Sequence, residues 1–172
     1  GVGGYFVIWL YQPLLSAINI PIAYFGWFNM LLVGIQIIIA SNFRFLEKLI
    51  PSLQNYITFN VFLVLLSFGL VAEFPSLASI LFFITVGCGF ALTHERYISG
   101  HINQWIPTEQ RATVLSFVNM LQKFFIIILN PIIGLATDHS LKLGPIFIFW
   151  FVLLSFISLL VLRFIRGESY SL

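Results

Sequence analysis

The first 43 residues carry no charged side chain, and later charge-free runs cover residues 49–72, 74–94 and 143–162. A helix needs about 20 apolar residues to cross the hydrocarbon core of a bilayer, so each later run suits one crossing and the first suits two. Pro21 divides that first run, because proline lacks an N–H and disfavours helix in the residue before it. Helices are therefore predicted at 3–18 and 22–41, with "SNFRFLEKLIPS" as the loop that closes the second. A third is predicted at 54–72, ended by "EFP", and a fourth at 76–101, its last turns reading "HERYISGH". Beyond the break "INQWIPTEQRAT" a fifth is expected at 109–136, and "TDHSLKLGP" leads into a sixth at 145–164. The pattern predicts an all-α integral membrane chain, one six-helix bundle over 1–172, with both ends on the same side.

Composition agrees, and charge orients the bundle. Hydrophobic residues make up 60% of the chain and charged ones 8%, against about a quarter charged in soluble domains. A net charge of +2 without a basic, aromatic-interleaved run excludes nucleic acid as a partner. Cys88 is the only cysteine, so neither a disulfide nor a thiolate metal site can be assembled within the chain. The 20 phenylalanines suit packing against lipid and call for no cofactor. Arg44, Lys48, Arg96, Arg111, Arg163 and Arg166 fall on one predicted side, whereas loops on the other hold only Lys142. Positive loops stay in the cytoplasm, which puts both termini and the break there. The chain opens "GVGGYFVIWL" without Met or a basic leader, which gives no signal peptide. Even counted from Gly1 to Ile18, its first helix would rise only about 27 Å against a core of about 30 Å. These features lead to the expectation that a longer reading frame supplies further helices upstream.

Two echoes suggest internal symmetry. Leu15-Ser16-Ala17-Ile18-Asn19-Ile20-Pro21 and Ile98-Ser99-Gly100-His101-Ile102-Asn103-Gln104-Trp105-Ile106-Pro107 share a pattern of branched apolar, Ser, small, Ile-Asn and Ile-Pro, with three residues inserted. Ala40-Ser41-Asn42 likewise echoes Ala136-Thr137-Asp138. Each pair falls on opposite membrane faces, as an inverted three-plus-three repeat requires; similarity among turn residues in a biased composition is the alternative.

Polar side chains inside the spans are the candidates for function, since each must find a partner or line a wet cavity. Lys123 stands out: twelve residues beyond Arg111, it lies about 18 Å along helix five, too deep to reach the interface easily. A lysine at that depth costs about 2.5–3.5 kcal/mol on insertion scales. Ser116, Asn119, Lys123 and Asn130 form one stripe by their spacings of three, four and seven. Weaker stripes are Tyr5, Trp9, Gln12 and Ser16 on helix one, Asn29 and Gln36 on helix two, and Asn60 and Ser67 on helix three. Either they converge on a polar path for a solute, or they bond neighbouring helices for about 1 kcal/mol each. Glu95, Arg96, Glu109 and Arg111 are gate or coupling candidates, with solvated flanking charges as the alternative. His94 and His101 do not make a zinc motif: Ile98 stands where the second histidine of H-E-x-x-H belongs, and no third ligand follows. No nucleophile with a matching base stands out, so an enzyme is not expected. Gly87 and Gly89 are read as helix-packing positions, Trp105 as an interfacial anchor, and Pro107 as ending helix four with Thr108 capping helix five.

The break then carries a resemblance. Asn103, Ile106, Pro107, Thr108, Glu109, Arg111, Ala112, Thr113, Val114, Leu115 and Ser116 resemble the loop between the tenth and eleventh helices of a major facilitator superfamily transporter. Pro131, Gly134, Ala136 and Asp138 in "NPIIGLATD" are similar to the end of the eleventh helix. Trp9, Gln12, Pro13, Pro21 and Gly26 are similar to the seventh helix and the turn into the eighth. The chain departs from the pattern in the loop "SNFRFLEKLIP", which lacks the Gly and Asp-Arg of a full gate motif, and at Arg96, where relatives often have proline. The resemblance implies the C-terminal six-helix half of a twelve-helix fold in a bacterial inner (plasma) membrane. It implies secondary transport of a small solute, by uptake or efflux, through alternating access. Helices one, two, four and five would face the cavity, with Lys123, Asn119 and Gln12 at the solute or its counter-charge and Glu95 open to a proton. Its partners would be the lipid bilayer, the solute, and a missing N-terminal half or a second copy. The competing expectation is a non-transporting membrane protein whose stripes only pack helices and which binds a partner in the bilayer.

Overall fold

The computed structural model describes residues 2–50, 52–91, 99–100 and 106–169, with the side chains of 43, 44, 47 and 166–169 excepted. The described residues are helical, with no strand among them. Helix α1 is Val2–Ala17, a 3-10 turn covers Ile22–Tyr24, and α2 is Phe25–Ser41. Helix α3 is Phe43–Leu49 and α4 Leu53–Glu73. The described part of α5 is Leu77–Ala91, in which Phe83–Gly87 forms a π-helical turn. Helix α6 is Thr108–His139 and α7 is Leu143–Ser169. Among the described residues four stretches are long and apolar enough to cross a membrane: Ile22–Ser41, Leu53–Glu73, Thr108–His139 and Leu143–Ile165.

The ends of these helices follow from local chemistry. After α1, the Asn19 N–H donates to the Ser16 carbonyl (3.0 Å) and the Ile20 N–H to the Leu15 carbonyl (3.1 Å), the paired bonds of a Schellman motif. Asn19 takes the left-handed conformation this needs, at φ 61°, and asparagine tolerates that region better than most residues. Ile20 packs on the core that holds Leu15, and Pro21 stops the helix from resuming. Before α5, Ser76 and Ser79 cap each other reciprocally: the Ser79 N–H donates to Ser76 Oγ at 3.3 Å and the Ser76 N–H to Ser79 Oγ at 2.9 Å.

Some expected boundaries shift. "FRFLEKL", predicted as loop, is a two-turn helix. Asn42 sits between α2 and α3, its Nδ2 donating back to the Ile38 carbonyl at 2.9 Å. Thr108 does not cap helix five: it is the first helical residue, Pro107 holds the cap position without a side-chain bond, and pre-set proline φ favours that entry. Of the expected extension of helix four to 101, Ser99 and Gly100 are helical; Glu95, Arg96, His94, His101, Asn103 and Trp105 lie outside the described residues. Both segments of the second echo stand at helix ends, Asn42 as the C-cap of α2 and Asp138 as the last residue but one of α6.

The core is built by α1, α4, α5 and α7. Phe6, Val7 and Leu15 from α1 meet Phe68 and Val71 from α4, Ile80, Phe83 and Ile84 from α5, and Ile148 from α7, all nearly inaccessible. Phe68 and Phe83 pack edge to face with centroids 4.9 Å apart, a favourable aromatic arrangement. The glycines of "GCG" let α5 sit centrally. Two residues apart, they point about 200° from each other round the helix. A Cβ on Gly87 would lie 2.9 Å from Ser67 Oγ of α4, and one on Gly89 would lie 2.6 Å from Ile39 Cδ1 of α2. Within Leu77–Ala91 only Leu77 and Ala78 are exposed, so this part of helix four is the centre of the bundle, and Ala91 at its end lines a cavity of about 250 Å³ with Gly4 and Asn60. Helices α2 and α6 are peripheral: Leu32 is the one buried residue of α2, and Ile126, Ile133 and Ala136 are those of α6.

Candidate functional site

Helix α6 is 32 residues long, about 48 Å at 1.5 Å per residue, longer than a bilayer core of about 30 Å. Lys123 is its sixteenth residue, at the midpoint, and its side chain is exposed. Ser116, Asn119 and Asn130 share its face and are exposed too. The helix buries a neighbouring stripe, Ile126, Ile133 and Ala136: Ile126 is one turn on from Lys123, and Ile133 one turn on from Asn130. The polar stripe is left exposed beside the packed one.

Helix α1 shows a parallel arrangement. Trp9, Gln12 and Ser16 are exposed and Tyr5 is half-buried, while Phe6, Leu10 and Leu14 face the core. The two stripes meet where Asn130 Nδ2 donates to the Tyr5 hydroxyl at 3.4 Å. The Tyr5 ring lies 6.0 Å from that of Trp9 and 5.4 Å from that of Phe6. Gly144, at the start of α7, touches both Thr137 of α6 and Leu10 of α1. Residue numbers thus rise together along α1 and α6, so these helices run parallel and form one wall, in which Lys123 lies about 10 Å to one side of the Asn130–Tyr5 bond and Gln12 about 10 Å to the other. Gln12 closes the α1 stripe with its Nε2 donating to the Tyr11 hydroxyl at 3.1 Å. Proline at position 13 removes the donor for the Trp9 carbonyl, and Pro131 does the same for the Ile127 carbonyl.

Other candidates separate from this wall. Asn29 is exposed on α2. Gln36, one helical face with it by spacing, is half-buried and its Nε2 donates to Cys88 Sγ at 3.4 Å. The partners stand 52 positions apart in the sequence, and nothing local marks the pair. Asn60 is buried in α4 and its Nδ2 donates to the Phe90 carbonyl at 2.6 Å. Ser67 is buried with its hydroxyl donating to the Leu63 carbonyl at 2.7 Å. These two join helices or satisfy their own helix, which is the packing alternative set out above. Arg111 is half-buried and its Nε donates to the Ile106 carbonyl at 2.9 Å. It stitches the break onto the first turn of α6, and exposed Glu109 sits in that turn, where the positive end of the helix dipole favours a carboxylate. Among the described residues no three His, Cys, Asp or Glu side chains gather as a metal site would need.

Set against known protein families, proteins of established function and solved structures, the chain matches none.

Proposed function

We propose that the chain is one half of a secondary transporter of the major facilitator type, moving a small solute by alternating access. The observation that carries this reading is Lys123, an exposed cation at the midpoint of an apolar helix of membrane length. A charge at that depth is costly against lipid and calls for a polar cavity, a counter-charge or a solute. Asn119, one turn from Lys123 on the exposed face of α6, supplies polarity at that depth, and Gln12 of α1 lies about 20 Å further along the bundle by the register of the Asn130–Tyr5 bond. Parallel α1 and α6 support six crossings, because three further crossings, α2, α4 and α5, return the chain to its starting direction. In this reading both termini are cytoplasmic, Arg111 and Glu109 lie at the cytoplasmic end of α6, and a second six-helix half or another copy closes the cavity.

The test is flux in vesicles containing the chain with its partner half, across a panel of labelled small solutes. Lys123→Leu is expected to reduce flux about tenfold or more, the equivalent of about 1.4 kcal/mol, with no loss of thermal stability. Unchanged flux removes Lys123 from the mechanism. Absence of flux for every solute favours a membrane protein that binds a partner in the bilayer.

A further inference from the structure

A second site lies between α4 and α7. These helices run antiparallel: Phe62 meets Phe156 at a centroid distance of 6.2 Å, and Gly69 lies against Phe149. The first turns of α4 therefore face the last turns of the apolar part of α7. Between them is a groove of about 290 Å³. Its walls are Leu53, Ile57, Leu159 and Leu162, and its rim holds Gln54, Thr58 and Arg163. Arg163 is exposed, and among the described residues it has neither an ion-pair nor a hydrogen-bond partner. Thr58 donates its hydroxyl to the Gln54 carbonyl at 2.8 Å, which leaves its oxygen as an acceptor. The Gln54 amide N–H groups are free to donate towards an anion.

We propose that this groove binds an anionic membrane phospholipid, with the phosphate of the headgroup on Arg163 and Gln54 and an acyl chain along Leu53, Ile57, Leu159 and Leu162. An unpaired guanidinium provides the charge and the fork geometry for a phosphate oxygen pair. Leu53 and Leu162 beside them, and Ile57 and Leu159 one turn deeper, provide the apolar wall for the chain attached to that phosphate. A soluble phosphate would use the first feature and not the second. The inference rests on α4 and α7 lying in a bilayer and is independent of transport, so lipid binding and flux fail separately.

The full chain in detergent is titrated with phosphatidylglycerol or with phosphatidylcholine of the same acyl chains, and bound lipid is counted by native mass spectrometry. One basic side chain near an anionic surface contributes about 1 kcal/mol, a preference of about fivefold for phosphatidylglycerol. Arg163→Gln is expected to abolish that preference, Arg163→Lys to keep most of it, and Lys142→Gln, at the opposite end of α7, to leave it unchanged. Leu159→Trp, which fills the groove, is expected to weaken both lipids, and melting curves of each variant report folding. Equal binding of the two lipids, a preference that survives Arg163→Gln, or displacement of phosphatidylglycerol by inorganic phosphate would each overturn the proposal.

Discussion

Helices α4 and α6 both carry polar side chains within membrane-length apolar sequence, and the two treat them in opposite ways. On α4, Asn60 and Ser67 are buried, each donating to a backbone carbonyl. On α6, Ser116, Asn119 and Lys123 are exposed, beside the packed Ile126. A polar group inside a bilayer costs little once bonded and much when left to lipid. Burial on α4 therefore identifies structural polarity, and exposure on α6 identifies polarity that needs something outside this bundle.

Stability measurements separate the two regions. The largest effect is expected at the crossing of α1 and α5, where a Cβ on Gly4 would stand 2.8 Å from Ala91 Cβ and 3.1 Å from its backbone carbon. Backbone cannot swing aside, so Gly4→Val is expected to destabilise the bundle by about 1–3 kcal/mol, read as a lowered melting temperature in detergent. A native-like melt would show that these helices are not in close contact. Next comes Asn60→Leu, which removes the bond to the Phe90 carbonyl and is expected to cost about 1 kcal/mol in reversible denaturation, within the range of interhelical bonds in membranes. Tyr5→Phe breaks the longer, exposed bond from Asn130 and should cost only about 0.5 kcal/mol; a larger loss would make the α1–α6 wall structural. Smallest of all is Lys123→Leu, expected to leave the melt unchanged or raise it. Destabilisation by Lys123→Leu would place that lysine with Asn60 on the packing side and erase the contrast between the helices.

Part of this contrast was legible in the spacing of residues. The α6 stripe at 116, 119, 123 and 130 follows from helical period alone, and the structure keeps it on one open face. The packing roles of Gly87 and Gly89 were equally readable, because small residues in apolar helices mark close approach. Asn60 and Asn29 were not distinguishable by sequence, although one is buried and bonded and the other exposed. Both are asparagines flanked by apolar residues, and their fates depend on which neighbour packs there. Helix α3 was missed since "FRFLEKL" is bounded by Asn42 and Pro51, which read as loop punctuation, while its seven residues are too few for a periodic signal.

The sequence by itself determined helical segments of membrane length, because hydrophobic run lengths and proline positions are local properties that the bilayer dimension converts into elements. It also determined which side chains share a helical face. Only the tertiary structure decided which faces are covered: α5 at the centre, α2 and α6 at the margin, Gln36 on Cys88, and a groove that brings Arg163 beside Gln54. Those arrangements join residues tens to more than a hundred positions apart, and their energies come from shape fit between helices, for which a one-dimensional pattern carries no term.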